Sequence, residues 1–185
     1  MNNILKTVIF SVAAIFMFTR SSCDAFESFL FNLPISVTIT ATGTNNPSGN
    51  ESYCLDDDET YQDFKDKINT VTFVEAYVTT VSVSPINLQG DVTVTIREGT
   101  NASGPVLFTT TLNNARPADY ISPNPAYKLP LTEADIQAVN DALEQGVTCF
   151  YGELEVTDIS NGATPPQQNV IVVKIDALYK VDADL

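Results

Sequence analysis

The chain has 185 residues, 23 of them acidic and 9 basic, for a formal net charge of −14. That balance gives no basic footprint for nucleic acid and a surface that repels other polyanions. Histidine is absent. The commonest general base and the commonest zinc or copper ligand are therefore missing, and Ser-His-Asp and Cys-His arrangements are impossible.

The chain opens with Lys6, an apolar run over residues 7–18 (TVIFSVAAIFMF), Arg20 and then Ser21-Ser22-Cys23-Asp24. The run is shorter than the ~20 residues that a membrane-crossing helix needs. It fits the h-region of a secretory signal, with positive charge before it and small residues at the cleavage site. Ser21-Ser22-Cys23 resembles the end of the lipobox of bacterial lipoproteins, with Arg20 standing where that class usually has an apolar residue. The resemblance covers about 23 residues and implies that Cys23 becomes the acylated first residue. It also implies a bacterial cell envelope as location and the membrane as partner. A second reading cuts after Cys23 and releases the chain, and a third retains the run as an anchor. Removing residues 1–22 takes away Lys6 and Arg20 and no acid, so 7 basic residues remain against 23 acidic ones, a net −16.

With lipid on Cys23, the other two cysteines, Cys54 and Cys149, are left as a natural disulfide in an oxidising compartment. Two buried thiols are the alternative. Residues 23–34 are read as a lipidated start and short tether, and residues 35–185 as one domain. Phe26, Phe29, Leu30 and Phe31 make that tether apolar, so residues 29–33 are expected to dock on the domain or lie near lipid.

Strict alternation follows. Residues 35–40 (ISVTIT) and 92–96 (VTVTI) switch between apolar and hydroxyl side chains at every step, the period of a strand with one buried face. Residues 71–83 form a longer β-rich run, expected to be a strand with a bulge or two strands with a bend. Residues 106–112, 147–156 and 170–181 complete the set, rich in Val and Thr that suit a pleated surface. Residues 43–50, 87–91 and 98–105 read as turns from their Gly, Asn, Ser and Pro content. Residues 131–146 read as a helix, with Thr132 as N-cap, Glu133 and Asp135 in the first turn and Gly146 at the end. Residues 58–68 give a second, shorter one. Together these elements predict an all-β fold, an antiparallel β-sandwich with one or two short helices, or alternatively a β-barrel.

Three features invite chemistry. Asp56, Asp57, Asp58 and Glu59 form the densest acidic cluster. Calcium takes oxygen ligands, but the spacing is not that of an EF-hand, and the same residues suit a helix start with Asp57 or Asp58 as cap. Residues 116–130 gather Tyr120, Tyr127 and four prolines, either a recognition loop for peptide or sugar or a connection pinned by packed tyrosines. Asn50 and Asn101 each begin an N-x-Ser triplet in an expected loop, which matters only for a eukaryotic source. No phosphate-binding glycine loop occurs, and no catalytic residue or cofactor is assigned. The expectation is a non-enzymatic, lipid-anchored envelope domain with a structural or ligand-binding role. A freely secreted adhesive or matrix domain is the alternative, and a carboxylate-dependent hydrolase comes last.

Overall fold

The computed structural model describes residues 28–184. Eight strands run in the order β1 (Ser28–Gly43), β2 (Ser48–Cys54), β3 (Ile68–Ser84), β4 (Gln89–Glu98), β5 (Val106–Ala115), β6 (Tyr127–Lys128), β7 (Cys149–Ser160) and β8 (Asn169–Asp184). Two helices join them, α1 (Glu59–Phe64) and α2 (Glu133–Glu144). Cys23 and residues 1–22 lie outside the described residues. No helix among the described residues is long and apolar enough to cross a membrane.

Alternation in the sequence becomes alternation in burial. Along β1, Leu33, Ile35 and Ile39 are buried while Ser36, Thr38 and Thr40 are exposed. On β4 the buried side chains are Val92 and Val94. Each large aliphatic side chain fully withdrawn from water contributes roughly 1.5–3 kcal/mol. β1 and β8 pair along their full length, from Ser28↔Asp184 to Gly43↔Asn169. Residues 28–34 are thus the first stretch of β1, and the apolar segment expected to dock does so as a strand that begins upstream of residue 35. Phe29 and Phe31 stack at 5.4 Å, and both rings meet Phe64 of α1.

All strand pairs are antiparallel, in the order β5-β4-β7-β2-β1-β8-β3-β6. β1 and β2 share one rung, Thr42↔Ser48. The sheet curls there, so that side chains of both halves wall one interior: Ile35 and Ile175 from one, Phe108 and Phe150 from the other. Gly49 sits at this corner, where a Cβ would come within 2.0 Å of the Thr40 carbonyl oxygen. The fold is all-β with two short helices, as the sequence predicts. It joins features of both expected architectures, facing layers as in a sandwich and one continuous ladder as in a barrel, open between β5 and β6. On that open side α2 packs against both β3 and β5, with Val139 and Ala142 buried.

The long run in β3 is a single strand with register shifts after Ile68, Phe73 and Thr80, in line with the expected bulge. Thr132 caps α2 through a reciprocal box: its hydroxyl accepts from the Asp135 N–H at 3.2 Å, and the Asp135 carboxylate accepts from the Thr132 N–H at 2.8 Å. Gly146 follows with φ +85°, the left-handed backbone that lets the chain leave the helix.

One strand departs from the sequence reading. β2 occupies part of the stretch read as a loop, paired with β7 from Ser48↔Glu155 to Cys54↔Cys149. Asn50 is therefore on a strand opposite Glu153, not in a loop, while Asn101 lies in the turn between β4 and β5 as expected. The last β2–β7 rung carries the Cys54–Cys149 disulfide, with a sequence separation of 95.

Candidate functional site

The loop from β5 to β6 crosses between the two ends of the sheet. Pro117 starts a 3-10 turn, Pro117–Tyr120, and β6 pairs with Tyr77 and Val78 of β3. This brings Tyr120 and Tyr127 edge to face, with ring centroids 5.2 Å apart and planes at 62°. Such a pair is worth about 0.5–1.5 kcal/mol beyond its burial, so the rings are held in place. Burial pushes the Tyr120 hydroxyl above its ordinary pKa, aided by Tyr127 and then Asp119.

The tyrosines line an open cleft of about 500 Å³ together with Gln89, Asn113, Asn114, Arg116 and Asp119. Asn114 takes positive φ, 53°. Two bonds hold it there: its N–H donates to Asp91 Oδ1 at 2.6 Å, and its side-chain oxygen accepts from Gln89 Nε2 at 2.7 Å. Asparagine tolerates this conformation better than most residues. Arg116 and Asp119 stand 4.0 Å apart across the turn. The cleft therefore offers two aromatic surfaces, side-chain amides and one charge of each sign. Asp119 is the only carboxylate among its lining residues, so the carboxylate pair of glycoside hydrolysis is not assembled there.

The acidic cluster disperses. The Asp58 carboxylate accepts from the Tyr61 N–H at 2.9 Å as the cap of α1. Asp56 accepts from Lys65 Nζ at 2.6 Å and from the Thr148 hydroxyl at 3.1 Å. Those bonds, Lys65 first and Thr148 next, hold its carboxyl below the usual range. Among the described residues no group of three or more acidic or cysteine side chains is placed to hold a metal ion. Asp58 thus takes one of the two cap positions that the sequence offers, and Asp56 is tied to Lys65 and Thr148.

A second space lies between the facing halves of the sheet, a cavity of about 60 Å³ walled by Ile35, Phe73, Phe108, Val139 and Ile175. Tyr53 and Tyr179 border it. Burial, reinforced by Asp58 and Asp57, pushes the Tyr53 hydroxyl up to about 12, and burial raises Tyr179 further.

Sequence reasoning located the tyrosine loop but not its companions. Gln89, Asn113 and Asn114 sit at strand ends, and no local pattern marks them as neighbours of a loop that begins at Arg116.

No family model and no curated protein matches the chain. Among solved structures it is similar to that of turnip yellow mosaic virus, at 10% identity over 85% of this chain and 82% of the other, with a TM-score of 0.41. Mud crab tombus-like virus gives 11% identity over 94% and 98%, also with a TM-score of 0.41. Desmodium yellow mottle tymovirus gives 9% over 85% and 89%, with a TM-score of 0.38. Likeness at this level has no bearing on what the chain does.

Proposed function

We propose that this chain is a non-enzymatic binding domain of the bacterial cell envelope, held to a membrane by lipid on Cys23, with its ligand site at the Tyr120–Tyr127 cleft. One observation carries the reading: two mutually braced aromatic rings share a cleft with Gln89, Asn113, Asn114, Arg116 and Asp119. Aromatic faces meet the C–H faces of a sugar ring, and amides with a fixed orientation meet its hydroxyls. A glycan fits that chemistry better than an apolar ligand does. The cross-strand disulfide supports an oxidising location. Lipid on Cys23 would hold the domain through acyl chains, each buried CH₂ contributing about 0.8 kcal/mol.

Calorimetric titration of the protein with a panel of cell-envelope oligosaccharides tests the site. Binding of at least one member is expected, weakened tenfold or more by Tyr120→Ala and by Tyr127→Ala while the melting temperature holds. Binding that ignores both substitutions, or none across the panel, defeats the assignment. Intact-mass measurement of the native N-terminus tests the anchor. An acylated Cys23 supports it, and a chain starting at Asp24 replaces it with the secreted alternative.

A further inference from the structure

The cavity of about 60 Å³ between the two halves of the sheet has a mouth. Its lining residues that reach solvent come from both halves, Val37 and Ala177 from one and Glu51, Tyr53 and Ile96 from the other. Phe73, Phe108 and Phe150 on its walls are buried. β1 and β2 pair at Thr42↔Ser48 and at no other rung, which leaves the gap between them for this opening.

Glu51 is the one charged residue on the lining. It stands on the inner face of β2 with Tyr53, while Asn50 and Ser52 between and beside them face out. A carboxylate turned toward apolar side chains is costly unless a partner meets it. Among the described residues no lysine or arginine pairs with Glu51. One of its oxygens accepts from the N–H of its neighbour Ser52 at 3.1 Å, and the other has no such bond. Across the ladder Glu51 faces Gly152, which in turn faces Ile96. A Cβ on Gly152 would lie 3.2 Å from Ile39 Cδ1 and 3.4 Å from Ile96 Cδ1, so the glycine keeps room beside the carboxylate. Tyr179, 5% exposed, brings a second buried hydroxyl to the wall, near enough to Tyr53 for the two to influence each other. Among the described residues nothing bonds that hydroxyl.

We propose that this cavity binds a short alkylammonium ion, with its chain among the buried aromatic side chains and its ammonium against the Glu51 carboxylate. Charge selects the head. No basic residue lines the cavity, Asp58 and Asp57 act on Tyr53 at its border, and the chain carries a net charge of −14. A carboxylate or phosphate head would meet repulsion there, and a cation is drawn in. An ammonium carries three donors, and the acceptors on this wall are the free Glu51 oxygen and the tyrosine hydroxyls. Volume selects the tail. A water-sized group needs about 10–15 Å³ by this measure, so the space holds roughly four to six of them. That fits a chain of about five carbons and excludes a fatty acyl chain or a sugar ring.

NMR titration of the protein with n-pentylammonium, hexanoate and 1-pentanol, which share a five-carbon chain, tests this, with methylammonium as the head alone. Saturable binding of n-pentylammonium is expected, at least tenfold tighter than that of hexanoate or methylammonium, with shifts at Glu51, Tyr53 and Phe150. Glu51→Gln should weaken n-pentylammonium about tenfold and leave 1-pentanol unchanged. Ala177→Leu, which fills the mouth, should abolish binding of both. Should that variant fail to fold, Glu51→Gln at the solvent-exposed rim carries the test alone. No saturable binding of n-pentylammonium overturns the inference, as does equal binding of hexanoate or methylammonium, or an affinity that ignores Glu51→Gln. None of these results depends on whether the Tyr120–Tyr127 cleft takes a glycan, since no glycan is present.

Discussion

Asn140 of α2 bonds both backbone groups of Phe73: its side-chain oxygen accepts from the Phe73 N–H at 2.7 Å, and its amide donates to the Phe73 carbonyl at 3.2 Å. One side chain thus completes the outer side of β3 where no strand reaches, and it pins α2 across the open side of the curled sheet. Asn140→Ala leaves two backbone groups of Phe73 without their partner. A loss of about 1–3 kcal/mol is expected in urea unfolding, the range for stranding a part-buried polar group. Asn140→Asp keeps the acceptor and loses the donor, so it should fall between the two. A variant as stable as the wild type would show that α2 is held by Val139 and Ala142 alone.

The Cys54–Cys149 bridge closes a loop of 95 residues that contains β3 to β6 and α2. Loop entropy predicts that Cys54→Ser/Cys149→Ser costs about 4–5 kcal/mol, less any native strain. The two residues already face each other on the β2–β7 ladder. The folded state should therefore keep its far-ultraviolet spectrum, with the loss appearing as a lower urea midpoint. A change below about 1 kcal/mol would place the stability of β2 in the ladder and not in the bridge.

The bridge also shows why β2 was hard to read. Ser48-Gly49-Asn50-Glu51 has the composition of a turn, and nothing local in it favours a strand. Its pairing comes from β7, about 100 residues away, and from the covalent tie at its end. β1, β4 and β8 were legible because each buries one face, and burial writes a period of two into the sequence. The helix at Thr132 was legible because its cap and first turn are local. Asn140 was not, since a mid-helix asparagine gives no sign that it serves a strand 67 residues upstream. The cleft divides in the same way. Tyr120 and Tyr127 stand on one proline-rich loop, while Gln89 arrives from the start of β4.

Gly49 should tolerate no side chain. Its missing Cβ would lie 2.0 Å from the Thr40 oxygen and 3.0 Å from the Ala41 Cα, all backbone atoms that cannot rotate aside. Gly49→Ala must push β2 away from β1 at the corner where they share their one rung. A destabilisation of about 1–3 kcal/mol is expected, as for overpacking elsewhere. Gly146→Ala is the contrast. Nothing lies within 4 Å of its Cβ position, and its cost comes from φ alone. Measured thermal shifts should rank Gly49→Ala as the more damaging; the reverse order would mean that the β1–β2 corner yields easily.

Two exposed ion pairs set an acid limb to the stability curve. Lys65 and then Thr148 lower the Asp56 pKa by hydrogen bonding, and Lys128 and then Tyr77 do the same for Glu75. A carboxyl whose folded pKa lies below its unfolded value stabilises the fold above the unfolded value. That contribution disappears as pH falls through the folded value. Both sites are open to solvent, so each effect is small and weakened by salt. Lys65→Ala should therefore lower the melting temperature slightly at neutral pH and not at all once Asp56 is protonated in both proteins. In the same variant, the Asp56 carboxyl followed by NMR should titrate at higher pH than in the wild type. A gap between the two melting curves that persists unchanged into strong acid would assign the effect of Lys65 to packing against α1 instead of to charge.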